Sequence, residues 1–322
     1  MVAPDSPAPV ICPACRKNRQ FVFLKNYKII EGAWSLYECS ECAVQFWSPI
    51  KWPGEHYYGD YLIFRKSNKP ELEARHKRFF KTHRNFSENT KILDLGCAMG
   101  DFMAEIERRG CEPWGVEVNA DRARFAQEHF HLGHVYNMSD DEFFKMPNLP
   151  EFDMITLFEE IEHLDNPREF VQNVAKLVKT DGMIVLSTPS RERIVADLLP
   201  GDYPPQHLTR WNEAAISNLF KDTGFKVSKV CYVDQFRLLL ESFASRLRFR
   251  MMPKVGRFAQ EHTHPVTGRS AVIVEKNILT TLARIGAMAK NYVVAGIPAG
   301  FCFLFGRLTG RKNGAMLVWL SR

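Results

Sequence analysis

Two pairs of cysteines, a glycine loop with one acid before it and another after it, and two histidines are the residues whose types and spacing could do chemistry in this chain of 322 residues. Cys12 and Cys15 form one C-x2-C, and Cys39 and Cys42 form a second after a gap of 23 residues. Two such knuckles present four thiolates, a donor set that suits tetrahedral zinc in a structural role. The other reading is a set of reduced thiols in a module that has lost its metal. Residues 91–102 read KILDLGCAMGDF, with Asp94 ahead of Gly96 and Gly100. This is neither the G-x-G-x-x-G of a dinucleotide loop nor the G-x-x-x-x-G-K-[ST] of a phosphate loop.

An acid at Asp94 and no lysine after the loop disfavour a phosphate and favour a cationic ligand. S-adenosylmethionine carries an amino group and a sulfonium, and it fits that preference. Glu117 follows 23 residues after Asp94 at the end of the next apolar stretch. A carboxylate at that place can accept two hydrogen bonds from ribose hydroxyls. His163, in EEIEHLDNP, and His207, in YPPQHLTRW, each follow an apolar stretch and are candidate catalytic residues. For each the choice is general base against an orienting role. Tyr203 is a candidate substrate contact. Asp165 and Asn166 before Pro167 read as a helix cap with proline in the first turn.

Positioning these groups requires a regular frame. From residue 91 the chain alternates: ILDL strand, FMAEIERRG helix, EPWGVEV strand, DRARFAQEHF helix, GHVYN strand, FDMITLF strand, NPREFVQNVAKLVK helix and GMIVLST strand. NEAAISNLFKDTGF is a further helix and KVSKVCYV a further strand, and AMLVWL at 315–320 is the last. Such alternation predicts a parallel α/β sheet covered on both faces. Ligands of such sheets bind at the carboxyl edge, where the loop, Glu117 and both histidines fall.

ILDLGCAMGDF, WGVEVN, FDMITLFEEIEHLDNP and GMIVLSTPS, in this order, resemble the class I S-adenosylmethionine-dependent methyltransferases. The resemblance covers about residues 60–235 and the last strand. It implies a Rossmann-like seven-stranded sheet with an antiparallel final strand. It also implies that Asp94, Gly96 and Gly100, with Cys97 between them, hold the cofactor, and that Glu117 binds the ribose. Asp140 and Asp141 would face adenine, and Phe158 and Glu159 would stand where the cofactor and acceptor pockets meet. Ala98 departs from the glycine usual in mid-loop, a methyl group tolerated if φ there is negative.

The expected organisation is a zinc-ribbon-like module at 1–50, a connector with a helix at 51–90 and the methyltransferase core at 91–234. A basic helical insert at 235–313 and the final core strand at 314–322 follow. CPAC, CSEC and the aromatic EHYYGDY resemble bacterial methyltransferases of sugars and secondary metabolites. That implies a module covering the acceptor; a ribbon reading RNA or protein is the alternative. Charge is uneven: residues 241–322 hold 13 Lys and Arg against 3 Asp and Glu, and the rest hold 30 against 34. A basic amphipathic insert suits an anionic membrane surface, a packed or homodimer interface, or nucleic acid. Its apolar run of about 14 residues is short of a membrane span of roughly 20.

No basic start or apolar core of a signal peptide is visible, so a cytoplasmic protein, peripheral at a membrane if the insert binds lipid, is expected. The expected activity is transfer of a methyl group to an oxygen of a small-molecule, saccharide or lipid-linked acceptor. An RNA- or protein-modifying enzyme and a non-catalytic cofactor-binding protein are the other classes.

Overall fold

The computed structural model describes residues 9–18, 20–29, 32–51, 53–54, 69–193, 202–234, 296–297, 300–301, 304 and 314–322. Two readings fall almost wholly outside the described residues: the aromatic EHYYGDY and the basic insert at 235–313.

Strands β1 (Phe21–Ile29) and β2 (Gly32–Cys39) form an antiparallel hairpin between the cysteine knuckles, and β3 (Gln45–Ser48) pairs with β2. Helix α1 (Ala74–Thr82) follows, with Phe79 and Phe80 on its buried face. The alternating core then runs β4 (Lys91–Leu95), α2 (Asp101–Glu107), β5 (Glu112–Val116), α3 (Ala120–Phe130) and β6 (Val135–Tyr136). It continues through α4 (Asp140–Phe143), β7 (Phe152–Phe158), α5 (Pro167–Leu177), β8 (Val178–Pro189) and β9 (Thr209–Arg210). Last come α6 (Glu213–Phe220), β10 (Lys226–Asp234) and β11 (Gly314–Ser321).

Seven strands make one sheet in the order β10-β11-β8-β7-β4-β5-β6. β4 is parallel to β5 and β7, and β7 to β8, whereas β11 runs antiparallel between β8 and β10. Strands inside a parallel sheet are covered on both faces and need apolar residues at almost every position. β4 and β7 meet that need, with Ile92, Leu93, Leu95, Ile155 and Leu157 all buried. Pro167 opens α5 with Asn166 as its cap position, as the sequence suggests, although Asn166 donates to Glu169 Oε2 (2.6 Å) instead of capping the backbone.

The amino-terminal hairpin is stitched to the core. β3 pairs with β9 in the register Gln45↔Arg210 and Phe46↔Thr209, and the Trp47 amide donates to the Leu208 carbonyl at 3.1 Å. Val44 and Phe46 are fully buried in the same cluster as Trp211, Ala215 and Ile216. Packing therefore runs unbroken across the boundary that composition suggests at residue 50.

Candidate active site

The loops after β4, β5, β6 and β7 surround a cavity of about 420 Å³, within the range of ligand pockets. Seven carboxylates and two guanidinium groups, Arg75 and Arg122, line it. A concave surface with that balance raises the local concentration of cations.

Glu117 joins the first two loops. Its Oε2 accepts the Ala98 amide (2.9 Å) and its Oε1 accepts the Asn119 amide (2.8 Å). Burial pushes its carboxyl up, against the pull of these amides and of Arg122. Gly96 has φ of 72°, and a Cβ there would collide with Glu160 Oε2, so the glycine lets that carboxylate lie over the loop. Gly100, at φ 78°, starts α2 and leaves room for Ala126 and Leu132. Ala98 takes φ of 49°, so the condition of a negative φ is not met. Glu159 is also left-handed, at φ 58°, and is pinned by Ser187: its amide donates to the Ser187 carbonyl, and its Oε1 accepts the Ser187 hydroxyl (both 2.9 Å).

Gly96, Glu117, Asp140, Asp141, Phe158, Glu159 and His163 all reach the cavity wall. Three of the expected cofactor residues do not. The Asp94 carboxylate is buried behind the loop, where Oδ1 accepts the Thr156 hydroxyl at 2.6 Å. Cys97 is buried with Met103, Ala123 and Ala126 below the loop, and Gly100 serves helix packing. Burial raises Asp94 to about 7. Burial, then Glu117 and Asp141, raises Asp140 to about 7.

His207 stands behind His163, their rings edge to face at 4.8 Å, and borders a separate small polar void. Tyr203 lies against Tyr27 and Trp47 of the amino-terminal sheet, with ring centroids 5.7 and 6.2 Å away. His163 donates from Nδ1 to the Gln206 carbonyl (2.6 Å), since a carbonyl can only accept. Burial holds its imidazole down to about 4, against the opposing pull of the Gln206 and Glu159 backbones.

Glu160 and Arg75 are among the wall residues that escaped the sequence. Glu160 stood unremarked inside EEIEH, although an acid next to the end of a central strand is a usable signal. Arg75 comes from α1 and has no local signature, because only the packing of α1 brings it to the wall.

Apart from this cavity, the four cysteine sulfurs lie within 4.8 Å of one another. Cys12–Cys42 and Cys15–Cys39 are 3.5 and 3.8 Å apart, too far for disulfides. A tetrahedron with Zn–S bonds of ~2.3 Å has edges of about 3.8 Å, so the donors fit zinc. The hydrogen bond between Cys12 and Cys42 lowers Cys42 to about 6 and raises Cys12, and burial raises Cys15 to about 11.

A family described as methyltransferase domain matches residues 64–230, just over half of the chain. The chain belongs to this methyltransferase-domain family. The curated relatives that the domain resembles include the ubiquinone biosynthesis O-methyltransferase of Glaesserella parasuis serovar 5. That match is 30% identical over 108 residues, 31% of this chain and 46% of the relative. The mitochondrial enzyme of the same name from Schizosaccharomyces pombe is 32% identical over 170 residues, 46% of this chain and 61% of that relative. The chain thus spans about half the length of the curated relatives it matches. Among solved structures, phosphoethanolamine N-methyltransferase 2 of Haemonchus contortus, in complex with S-adenosyl-L-methionine, is 15% identical with a TM-score of 0.48. That match covers 83% of this chain and 55% of the other.

Proposed function

We propose that this chain moves the methyl group of S-adenosylmethionine to an oxygen of a small molecule. The observation that carries the reading is the acidic cavity at the carboxyl edge of β4, β5 and β7, with Glu117 holding the glycine loop on its floor. When bound, the cofactor supplies an electrophilic methyl group on a sulfonium. Glu117 has carboxylate lone pairs left for ribose hydroxyls after its two amides. The terminal nitrogens of Arg75 are paired with Glu73 at 3.0 and 2.9 Å, and its buried Nε, without a hydrogen-bond partner among the described residues, is the group it offers to the carboxylate of an amino-acid ligand. The remaining acids favour the sulfonium. Positioning the methyl group against its acceptor supplies most of the acceleration of such a displacement.

Oxygen as acceptor is supported by the relatives, which are named O-methyltransferases. The four cysteines are assigned to structural zinc on the fit of their spacing and chemistry. Zinc there would brace the hairpin that β3 and β9 tie to the core.

Calorimetry with S-adenosylmethionine tests the cofactor, and Glu117→Ala should weaken binding at least about tenfold, two lost charge-assisted contacts each contributing on the order of 1 kcal/mol. Transfer of label from the cofactor to an extract of the source cells tests the acceptor. Label in the organic or aqueous small-molecule fraction supports the reading. Label confined to nuclease- or protease-sensitive precipitate overturns it.

A further inference from the structure

Residues 296, 297, 300, 301 and 304 are helical. Positions three and four apart share one face of a helix, so Ile297, Phe301 and Leu304 fall together. They are 77, 70 and 59% exposed. Ile297 and Phe301 are the most exposed large apolar side chains among the described residues. Single apolar side chains at a surface are ordinary, whereas a contiguous group of them marks a contact face. The family match ends at residue 230, so this face lies outside the part of the chain that the family describes. We infer that the face docks on an anionic lipid surface, with the helix lying in the plane of the interface.

Charge and length choose the partner. Residues 276–322 hold seven Lys and Arg and no Asp or Glu. Arg307, Arg311 and Lys312 follow Leu304 closely. A basic segment with bulky apolar residues on one helix face suits anionic headgroups above an acyl boundary. A second copy would bring the same positive charge against itself, which opposes self-association through this face. Nucleic acid would meet the charge and leave the aliphatic side chains of Ile297 and Leu304 without an apolar partner. The uncharged run 292–305 has 14 residues, short of the roughly 20 of a membrane span. No helix among the described residues is long and apolar enough to cross a membrane. The helix therefore fits on a bilayer and not through it.

The junctions of the insert tie this face to one side of the molecule. β8 ends at Pro189, on the carboxyl edge of the sheet, and Ala315 pairs with Pro189. Asp234 pairs with Gly314. The chain thus leaves the sheet after Asp234 and returns at Gly314 on the edge that holds the cavity. Leu304 stands ten residues before Gly314, a reach of at most about 35 Å. Docking through this face would hold the cavity edge near the bilayer. The docking itself does not rest on the proposed methyl transfer.

The test is flotation of the full chain with vesicles of phosphatidylcholine mixed with phosphatidylglycerol, and with vesicles of phosphatidylcholine alone. We expect the chain to float with the anionic vesicles, to be released by added salt and to stay behind with the neutral ones. Ile297→Ser combined with Leu304→Ser should reduce flotation at least about tenfold, because two aliphatic side chains no longer leave water on docking. Val22→Ser, at an exposed apolar position of the amino-terminal sheet, should change nothing. Hydrogen exchange of the wild type should slow around residues 296–304 when anionic vesicles are added. No flotation, equal flotation with neutral vesicles, flotation indifferent to the paired substitution, or slowed exchange only elsewhere overturns the inference. A dimer or an RNA complex that the paired substitution abolishes, with no flotation, assigns the face to that partner and overturns the lipid one. The exchange result decides alone if the paired variant does not fold. Calorimetry with S-adenosylmethionine on the same samples keeps the two readings apart: its failure counts against methyl transfer and leaves the flotation result standing.

Discussion

Ala98 holds a left-handed backbone at φ 49° in the middle of the glycine loop. For an L-residue that conformation costs about 1–2 kcal/mol, and the Glu117 carboxylate helps to hold it by accepting the Ala98 amide at 2.9 Å. Glycine would remove the strain and lose some of it again through a freer unfolded chain. Ala98→Gly should therefore stabilise the fold by about 0.5 kcal/mol, seen as a small rise in thermal midpoint; a fall would show that the methyl group earns its place by packing. Glu117 was legible because a fixed spacing after a glycine loop identifies the end of the next strand. Asp94 was legible as an acid near the loop but not as one turned away, because nothing in the local sequence says that the hydroxyl of Thr156, 62 residues later, donates to it.

Among the elements, α1 shows how a helix without a motif builds a site. Its Phe79 is fully buried and packs edge-on against Phe102 and Phe158 at 5.1 and 6.0 Å. One turn earlier on the same helix, Arg75 reaches the cavity. Phe79→Ala should cost about 3–5 kcal/mol of stability and weaken S-adenosylmethionine binding as α1 loosens. Calorimetry below the melting transition checks the second effect; an unchanged affinity would mean that Arg75 needs no support from α1. The strands were legible from their apolar runs, and the antiparallel last strand came with the family resemblance. The pairing of β3 with β9 was not legible, since two residues, Thr209 and Arg210, are too short for any periodicity. For the same reason Cys39→Ser, if zinc binds, should melt more than the hairpin. Exchange of the β9 and α6 amides should rise with that of β2, whereas an effect confined to residues 9–48 would make the module an independent unit.

Over the whole molecule, the acids gathered at one edge of the sheet make cofactor affinity a function of pH. Asp140, raised by burial and then by Glu117 and Asp141, and Asp94, raised by burial, both stand at about 7 in the ligand-free fold, against a usual value of 3.8. Glu160 is pushed well above the ordinary range by burial, then by Asp140, Glu117 and Asp94. Between 3.8 and about 7 the folded state therefore holds protons that the unfolded chain has released, so these groups subtract stability as pH rises through that window. A sulfonium in the cavity favours the ionised forms of the acids on its wall, Asp140 and Glu160, and expels their protons. Affinity for S-adenosylmethionine should then increase from pH 5.5 to 7.5, by up to about tenfold for each proton released per pH unit. The thermal midpoint of the free protein should lose the contribution of these acids over the same range, and the gap between free and cofactor-bound midpoints should widen. Asp140→Asn should flatten the dependence by removing one of the protons. An affinity flat across this range in the wild type would mean that the acids titrate without facing the cofactor, and the charge argument for a cationic ligand would lose its footing.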